Sequence, residues 1–201
     1  MEARLETFEQ EISIENSEET QKQDDINWKQ FFVDIFQTVA LAVVLFVGIN
    51  LVSARVRVDG ISMMPTLENG EFILVSKLSY RLGEMDHGDI IVFDFPLNPN
   101  EELIKRVIGL PGDTILVDNG QVYVNGQLLN EPYISNAPRY TGSWNVKEGE
   151  IFVLGDNRNN SNDSKDWGLL PAENVVGKAI FIYWPPPLWN MIDHTDIFAP
   201  N

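Results

Sequence analysis

Two residues of this sequence could act together as a nucleophile and its base. Ser62 lies in GISMMPTL, residues 60–67, where Pro65 fixes the chain direction shortly after the serine. Lys105 lies in LIKRVIGLPGD, residues 103–113, on a predicted strand whose alternation gives it apolar neighbours on the same face. A serine hydroxyl needs a base to take its proton, and a lysine amine can serve once burial lowers its pKa from about 10.4. A lysine buried in this way can deprotonate a serine.

A third segment, GDNRNNSNDSKDWG at residues 155–168, is dense in Asp, Asn and Ser. This composition predicts a loop with many hydrogen bonds from side chains to the backbone. A calcium-binding loop is the competing interpretation, but the acidic residues do not follow the EF-hand order and no glutamate closes the segment. We therefore expect neither a metal ion nor a cofactor in this protein.

Ordinary structural roles have to be weighed for each of these residues. Taken alone, Ser62 is typical of a turn, Lys105 of an exposed strand edge, and Ser161 of a hydroxyl that stabilises a turn. A histidine base is a further alternative, because His87 in DHGD could be the partner of the nucleophile.

The absence of cysteine excludes a thiol nucleophile and a disulfide framework. The net charge of −16 argues against a nucleic-acid partner, because phosphate binding requires a basic surface.

An apolar segment, IFQTVALAVVLFVGINLV at residues 35–52, precedes these motifs. It carries no charged side chain over 18 residues, and about 20 helical residues cross a hydrocarbon core of about 30 Å. The segment predicts a transmembrane helix over residues 31–54, behind an acidic tail, residues 1–30, that we expect to be disordered. A cleaved signal peptide ending at Val52-Ser53-Ala54 is the alternative. Such a leader is short and basic, whereas this one holds nine acidic residues.

Short β-rich runs bounded by Gly, Pro, Asn or Asp occupy the remaining region, residues 55–201. These runs are residues 72–75, 90–93, 103–108, 151–154 and 179–183. Two Asn-Gly pairs, Asn119-Gly120 and Asn125-Gly126, predict two-residue hairpin turns within residues 114–129. The region therefore predicts a mainly antiparallel β domain, coiled or barrel-like, without a long helix or an internal repeat.

Four motifs, in this order along the chain, resemble those of bacterial type I signal peptidases. SMMPTL resembles the nucleophile segment of that family, DHGDIIVF its next conserved box, IKRVIGLPGD the general-base segment and GDNRNNSNDS the C-terminal box. Together they cover most of residues 55–184 and follow a single apolar segment. The resemblance implies a membrane-bound serine endopeptidase that removes signal peptides from translocated preproteins after a small-X-small motif.

The same resemblance implies roles for individual residues. Ser62 matches the catalytic serine, Lys105 the catalytic lysine, and Ser161 a serine that hydrogen-bonds the lysine and orients it. The backbone N–H of Ser62 would contribute to the oxyanion hole. Charged positions that hold the loops of the site together are matched by Arg106, Asp156, Arg158 and Asp163. Candidates to line shallow pockets for the small substrate residues are Val58, Met63, Leu67, Leu103 and Ile104.

Three positions depart from the family pattern. Gly60 stands where some relatives carry a serine whose hydroxyl donates to the oxyanion, so stabilisation here would depend on backbone N–H groups or another donor. Asn159 and Lys165 stand where Asp and Arg are common. Neither of these two changes affects the serine and lysine of the expected catalytic pair.

The family resemblance also implies a location and partners. We expect a single-pass protein of the bacterial cell membrane, with the N-terminal tail in the cytoplasm and the catalytic domain outside it. The expected partners are preprotein signal peptides, the lipid bilayer and, in addition, the secretion machinery.

Two alternatives to a signal peptidase belong to other classes of protein. A self-cleaving repressor-type peptidase would have no membrane span and would carry a DNA-binding domain, and a catalytically silent, membrane-anchored β module would need neither Ser62 nor Lys105.

Overall fold

The first element of the computed structural model, which describes residues 27–194 and 197–198, is a long apolar helix. Helix α1 spans Trp28–Val52, and its 25 residues correspond to about 37 Å at 1.5 Å per residue. Its length and composition are sufficient to cross a membrane. The helix begins before residue 31 and ends before the predicted limit, because Ser53 and Ala54 pair with the neighbouring strand. Residues 1–26 of the predicted acidic tail lie outside the described residues.

The chain divides into two compact units, of which the first ends at Val47 and the second begins at Gly48. The second unit is built mainly from short strands. The strands are β1 Ser53–Arg57, β2 Phe72–Ser76, β3 Ile90–Phe95, β4 Asn98–Gly109, β5 Thr114–Asp118, β6 Gln121–Val124, β7 Gln127–Leu128, β8 Gly142–Asn145, β9 Glu150–Leu154, β10 Leu170–Pro171, β11 Val175–Trp184 and β12 Asn190–Met191.

These strands form two sheets in which every neighbouring pair is antiparallel. The larger sheet has the order β1-β2-β11-β3-β4-β9-β10, with β12 beside β11, and the smaller has the order β7-β6-β5-β8. The mainly antiparallel β class predicted from the sequence is therefore confirmed. Strand β4 lies between β3 and β9, so both of its edges are hydrogen-bonded within the larger sheet.

The two predicted hairpin turns are confirmed by their backbone angles. Asn119 and Asn125 have φ values of 49° and 54°, and the glycines that follow have φ values of 78° and 82°. Positive φ at both central residues gives a turn whose twist matches that of the flanking strands. The turns lie between β5 and β6 and between β6 and β7.

Two short helices, α2 at Ser79–Leu82 and α3 at Ser164–Trp167, accompany the sheets. Helix α3 falls inside the segment that the sequence predicts to be entirely loop, so that prediction was wrong for four residues. The physical reason is local: the Asp163 carboxylate accepts a hydrogen bond from the backbone N–H of Lys165, and Asp166 bonds back to the backbone N–H of Asp163. This reciprocal cap supplies partners for backbone donors that begin a helix.

Apolar side chains on alternate positions of the strands form the core. One cluster lies around β1, β2 and β11, a second joins the smaller sheet to β9, and a third lies around β3 and β10. Strand β4 contributes to all three clusters, since Ile104, Val107 and Ile108 each belong to a different one. Any functional group on β4 is consequently held by packing on several sides.

Candidate active site

The nucleophile loop, residues 58–71, connects β1 to β2 and carries Ser62. Backbone hydrogen bonds join the two ends of this loop. The Val58 N–H donates to the Glu71 carbonyl at 2.8 Å, and the Val58 carbonyl accepts from the Gly70 N–H at 2.8 Å. Within the loop the Leu67 N–H donates to the Met63 carbonyl, a helical turn that places both side chains on one face. Both are buried in the core, which fixes the loop and leaves Ser62 half-buried beside them.

Strand β4 carries Lys105, whose side chain is 2 % exposed. The strand pairs Lys105 with Ile91 of β3, and both flanking residues, Ile104 and Arg106, are buried as well. The Lys105 Nζ donates to the Ser62 Oγ at 2.8 Å and to the Ile104 carbonyl at 2.8 Å. Two residues 43 positions apart in the sequence are thus in direct hydrogen-bond contact. A nucleophile and base in a catalytic pair lie at this kind of distance.

Burial lowers the pKa of Lys105 from its ordinary 10.5 to about 8, because desolvation disfavours the ammonium form. The nearby carboxylates of Asp163, Asp156 and Glu101 act in the opposite direction, and the positive charge of Lys165 lowers the pKa further. Desolvation is the largest of these effects. An amine of this pKa is neutral in an appreciable fraction of molecules near neutral pH, as a general base must be.

A buried ion pair beneath the lysine joins Arg106 of β4 to Asp156. Arg106 donates from Nε and Nη2 to the two carboxylate oxygens at 2.9 Å and 2.7 Å, and from Nη1 to the Gly88 carbonyl at 2.8 Å. Both side chains are fully buried. The pairing follows from the sheet, because Leu154 of β9 is opposite Arg106 and Asp156 follows two residues later. This fork-shaped pair ties the segment of residues 155–168 to the strand that carries Lys105.

Arg158 and Asp163 stabilise the same segment from within. Arg158 is buried, donates to the Gly155 carbonyl at 3.1 Å and pairs with the Glu131 carboxylate at 2.5 Å. Asp163 accepts from the Gly155 N–H at 3.0 Å in addition to capping α3. The four charged residues that the resemblance assigned to loop support are therefore all buried and bonded to this region.

Ser161 lies next to the pair without bonding to the lysine. Its buried Oγ has no hydrogen-bond partner among the described residues. The hydroxyl is nevertheless close to Ser62, since a Cβ placed on Gly155 would contact both the Ser161 Oγ and the Ser62 carbonyl. The expected hydrogen bond from Ser161 to Lys105 is not present in this geometry. A buried hydroxyl without a partner beside a functional pair stays a candidate for an orienting role.

Gly60, at the start of the nucleophile motif, has a φ of 102°, which favours glycine. A Cβ added there would meet no atom within 4 Å, so space does not exclude a side chain but the backbone conformation does. The Gly60 N–H donates to the Asn69 Oδ1 at 2.8 Å. The absence of the hydroxyl that some relatives use is thus coupled to the shape of this turn.

A cleft of about 460 Å³ runs from Ser62 and Lys105 along β1 and β4. Four of the five residues predicted to line substrate pockets border this cleft: Val58, Met63, Leu103 and Ile104. The fifth, Leu67, is fully buried in the core and is not part of the cleft wall. The helical turn of the nucleophile loop directs both Met63 and Leu67 into the core, and of the two only Met63, which follows Ser62 directly, also borders the cleft.

The alternative base, His87, is engaged elsewhere. Its Nε2 lies 2.6 Å from the Asp113 Oδ2, and its ring borders a separate cavity together with His194. The structure therefore brings Lys105, and not His87, to the hydroxyl of Ser62.

Three further residues, which the sequence motifs did not single out, contact the site. The Thr66 hydroxyl donates to the Asp156 carboxylate at 2.5 Å, and the Asn157 N–H donates to the Ser62 carbonyl at 3.0 Å. The ring of Tyr133 lies 3.9 Å from the Arg106 guanidinium carbon. Thr66 and Asn157 adjoin recognised motif residues and could have been suspected, whereas nothing local marks Tyr133.

Known proteins resemble this chain over most of its length. A family model described as signal peptidase, peptidase S26, matches residues 28–184. A probable signal peptidase I-2 of Synechocystis sp. (strain ATCC 27184 / PCC 6803 / Kazusa) is 40 % identical over 180 residues, covering 84 % of this chain and 81 % of the relative. A signal peptidase I of Leptolyngbya laminosa is 46 % identical over 158 residues, covering 74 % and 78 %. A crystal structure of a signal peptidase I from Enterococcus faecalis V583 is 32 % identical with a TM-score of 0.45, covering 48 % of this chain and 97 % of that one. The chain belongs to the signal peptidase family, peptidase S26, and is a serine peptidase.

Proposed function

We propose that this protein is a membrane-bound signal peptidase I that cleaves preproteins with a Ser62–Lys105 dyad. The observation that carries the proposal is the 2.8 Å contact between the Lys105 Nζ and the Ser62 Oγ at a buried position. A catalytically silent β module would gain nothing from a buried lysine, because desolvating an amine costs free energy. A lysine whose pKa is lowered to about 8 is, in contrast, suited to general-base chemistry.

The dyad would work in two stages. The neutral Lys105 amine takes the proton of the Ser62 hydroxyl while the oxygen attacks the scissile carbonyl carbon. The resulting ammonium then gives its proton to the leaving amine of the mature chain, which leaves an acyl-enzyme on the serine. A water molecule, deprotonated by the same lysine, hydrolyses this ester and restores the free enzyme. Ser161, close to Ser62, would orient the amine during these steps.

Stabilisation of the oxyanion would depend on the backbone in this protein. The Ser62 N–H is the expected donor, because Gly60 offers no hydroxyl. The Ser62 carbonyl is held from the other side by the Asn157 N–H at 3.0 Å, which restrains the peptide unit that follows the nucleophile. This restraint supports a preorganised site.

The substrate would bind as an extended segment between β1 and β4, in the manner of β-addition. The cleft of about 460 Å³ along these strands is bordered by Val58, Met63, Leu103 and Ile104. These four apolar side chains suit small side chains at the first and third positions before the cut, and charged residues such as Arg57 and Glu102 border other parts of the cleft. A small-X-small specificity is therefore part of the proposal.

The N-terminal helix would anchor the enzyme beside its substrates. We propose that the segment before α1 forms a cytoplasmic tail, that α1 supplies the single span, and that the β-rich region beginning with β1 forms the catalytic domain outside the cytoplasm of a bacterial cell. Signal peptides emerge on that side of the membrane after translocation, which makes association with the secretion machinery a further part of the proposal.

The first test compares Ser62→Ala, Lys105→Ala and the unaltered full chain in detergent, using a labelled preprotein with an Ala-X-Ala site. Each variant should lose cleavage while keeping the tryptophan emission and thermal unfolding of a folded protein. A matched preprotein with a bulky residue immediately before the cut should resist the unaltered enzyme. Full activity of Lys105→Ala would disprove the dyad.

The second test is the pH dependence of kcat/KM on the same preprotein. Because the neutral amine is the base and burial lowers the pKa of Lys105 to about 8, kcat/KM should rise as the pH increases and level off above that value. A flat profile from mildly acidic to alkaline pH would be incompatible with Lys105 as the base.

A further inference from the structure

A second cavity, of about 200 Å³, lies on the other flank of the nucleophile. Met64 and Pro65 form one wall, Ser135 and Asn136 another, and Asn157 lies between them. This cavity and the cleft along β1 and β4 share no lining residue. The nucleophile loop passes from one to the other between Met63, which borders the cleft, and Met64, which borders the second cavity.

Asn157 connects this cavity directly to the reacting centre. Its N–H donates to the Ser62 carbonyl at 3.0 Å, and its Nδ2 donates to the Ile61 carbonyl at 3.1 Å. A peptide that places its scissile carbonyl at Ser62 and one half in the cleft must direct its other half across this flank. Two or three residues, at about 3.3 Å each, would be enough to reach the cavity.

The two halves of a substrate can be assigned to the two sites. The cleft is bordered by Arg55, which follows the end of α1 at Val52 by three residues. The signal-peptide half continues into an apolar segment that stays with the membrane, so the cleft suits that half. The second cavity is left for the mature half. This assignment rests on the proposed function.

The wall formed by Ser135 and Asn136 is held in place. Asn159 donates from Nδ2 to the Ala137 carbonyl at 2.9 Å and accepts from the Arg139 N–H at 2.8 Å. An aspartate cannot donate the bond to the Ala137 carbonyl. The asparagine found here in place of the more common aspartate therefore makes two hydrogen bonds to this segment, one as donor and one as acceptor. The cavity is therefore bounded by a fixed segment.

The charges beneath the cavity are neutralised in pairs. Asp156 is paired with Arg106, and Arg158 with Glu131. Asp156 and Arg158 also line the cavity, but each is paired and almost fully buried, so the neutral polar groups that the cavity presents are the Ser135 hydroxyl and the Asn136 and Asn157 amides. Amides both donate and accept hydrogen bonds, as the peptide groups of an extended chain require.

We propose that this cavity is the subsite for the first two or three residues of the mature protein and that it selects an extended chain with small or polar side chains there. The cavity volume of about 200 Å³ leaves little space for an aromatic side chain beside the peptide backbone.

The test uses Asn136→Trp, a substitution at an exposed position that fills the cavity. The full chain in detergent is assayed on two substrates, a preprotein and a methyl ester of its signal-peptide segment that ends at the cleavage point. Asn136→Trp should lower kcat/KM for the preprotein about tenfold more than for the ester, the effect expected from losing one or two hydrogen bonds. Gln127→Trp, exposed on β7 and remote from both cavities, is the matched control and should leave the ratio of the two activities as it is in the unaltered enzyme.

Two results would overturn the proposal. An unchanged ratio in Asn136→Trp would show that mature residues do not use the cavity. An equal loss on both substrates would do the same, because the ester has nothing to place there. Failure of the proposed function itself would look different, since either the unaltered protein would cleave neither substrate or Ser62→Ala would retain activity on both.

Discussion

Replacing Lys105 by methionine should abolish activity and, near neutral pH, make the folded protein more stable. Methionine keeps the length of the side chain and removes the amine that burial penalises. A pKa lowered from 10.5 to about 8 corresponds to a cost to folding of about 3 kcal/mol, at about 1.4 kcal/mol for each pKa unit. The substitution also removes the hydrogen bonds to Ser62 and to the Ile104 carbonyl, worth about 0.5–1.5 kcal/mol each. The expected net gain at pH 7 is about 1–2 kcal/mol.

The pH dependence gives the sharper form of this prediction. Between pH 8 and 10.5 the unfolded chain still binds a proton on Lys105 while the folded chain does not, so the wild-type protein becomes more stable as pH rises. The methionine variant lacks this group. The difference in stability between the methionine variant and the wild type should therefore shrink by about 2–3 kcal/mol between pH 7 and pH 10. Near pH 10 the folded wild type no longer carries the buried charge, so the variant should be the less stable of the two because it lacks the hydrogen bonds of Lys105.

The assay is thermal unfolding of the full chain in detergent, followed by tryptophan fluorescence at both pH values. At about 2–4 °C per kcal/mol for a domain of this size, the difference in Tm between variant and wild type should fall by about 4–12 °C. Lys147→Met, at an exposed position, controls for the general loss of a positive charge and should show no comparable change. A Tm difference for Lys105→Met that is the same at both pH values would refute the lowered pKa of Lys105 in the folded protein.

Two further predictions concern the segments that hold the site. Gly155→Ala should lower kcat/KM by about a hundredfold, because the added Cβ would lie 2.5 Å from a carbonyl of the nucleophile loop and displace it. The control Gly48→Ala, whose Cβ meets nothing within 4 Å, should leave kcat/KM unchanged. Equal effects of the two substitutions would contradict the steric argument. Asp156→Asn should lower the free energy of unfolding by about 3–5 kcal/mol in denaturant titrations, because it leaves the Arg106 charge buried without its counter-charge. The same change at the exposed Asp59 should cost about 0–1 kcal/mol, and a loss at Asp156 within that range would show that water reaches the buried pair.

Local patterns were sufficient for much of the fold. The uncharged run ending at Val52 predicted a helix because its length matches a bilayer, and the helix is present as α1. The Asn-Gly pairs predicted their turns because few residues adopt positive φ. Strands β8, β10 and β12 were not predicted, since they are short and depend on partners distant in sequence. Helix α3 was missed because a four-residue helix has no apolar period and forms through its cap.

The sequence by itself supplied the types of residue, the order of the motifs and the family, because these depend on the side chains and their spacing. Tertiary structure decided which serine and which amine meet. It joined Ser62 to Lys105 across 43 residues, removed the solvent that would keep the amine charged, and turned Leu67 from an expected pocket wall into core. It also left the Ser161 hydroxyl near the pair without the bond to the lysine that the resemblance implied. Burial and distance arise from contacts between remote segments, and a local pattern of residues cannot encode them.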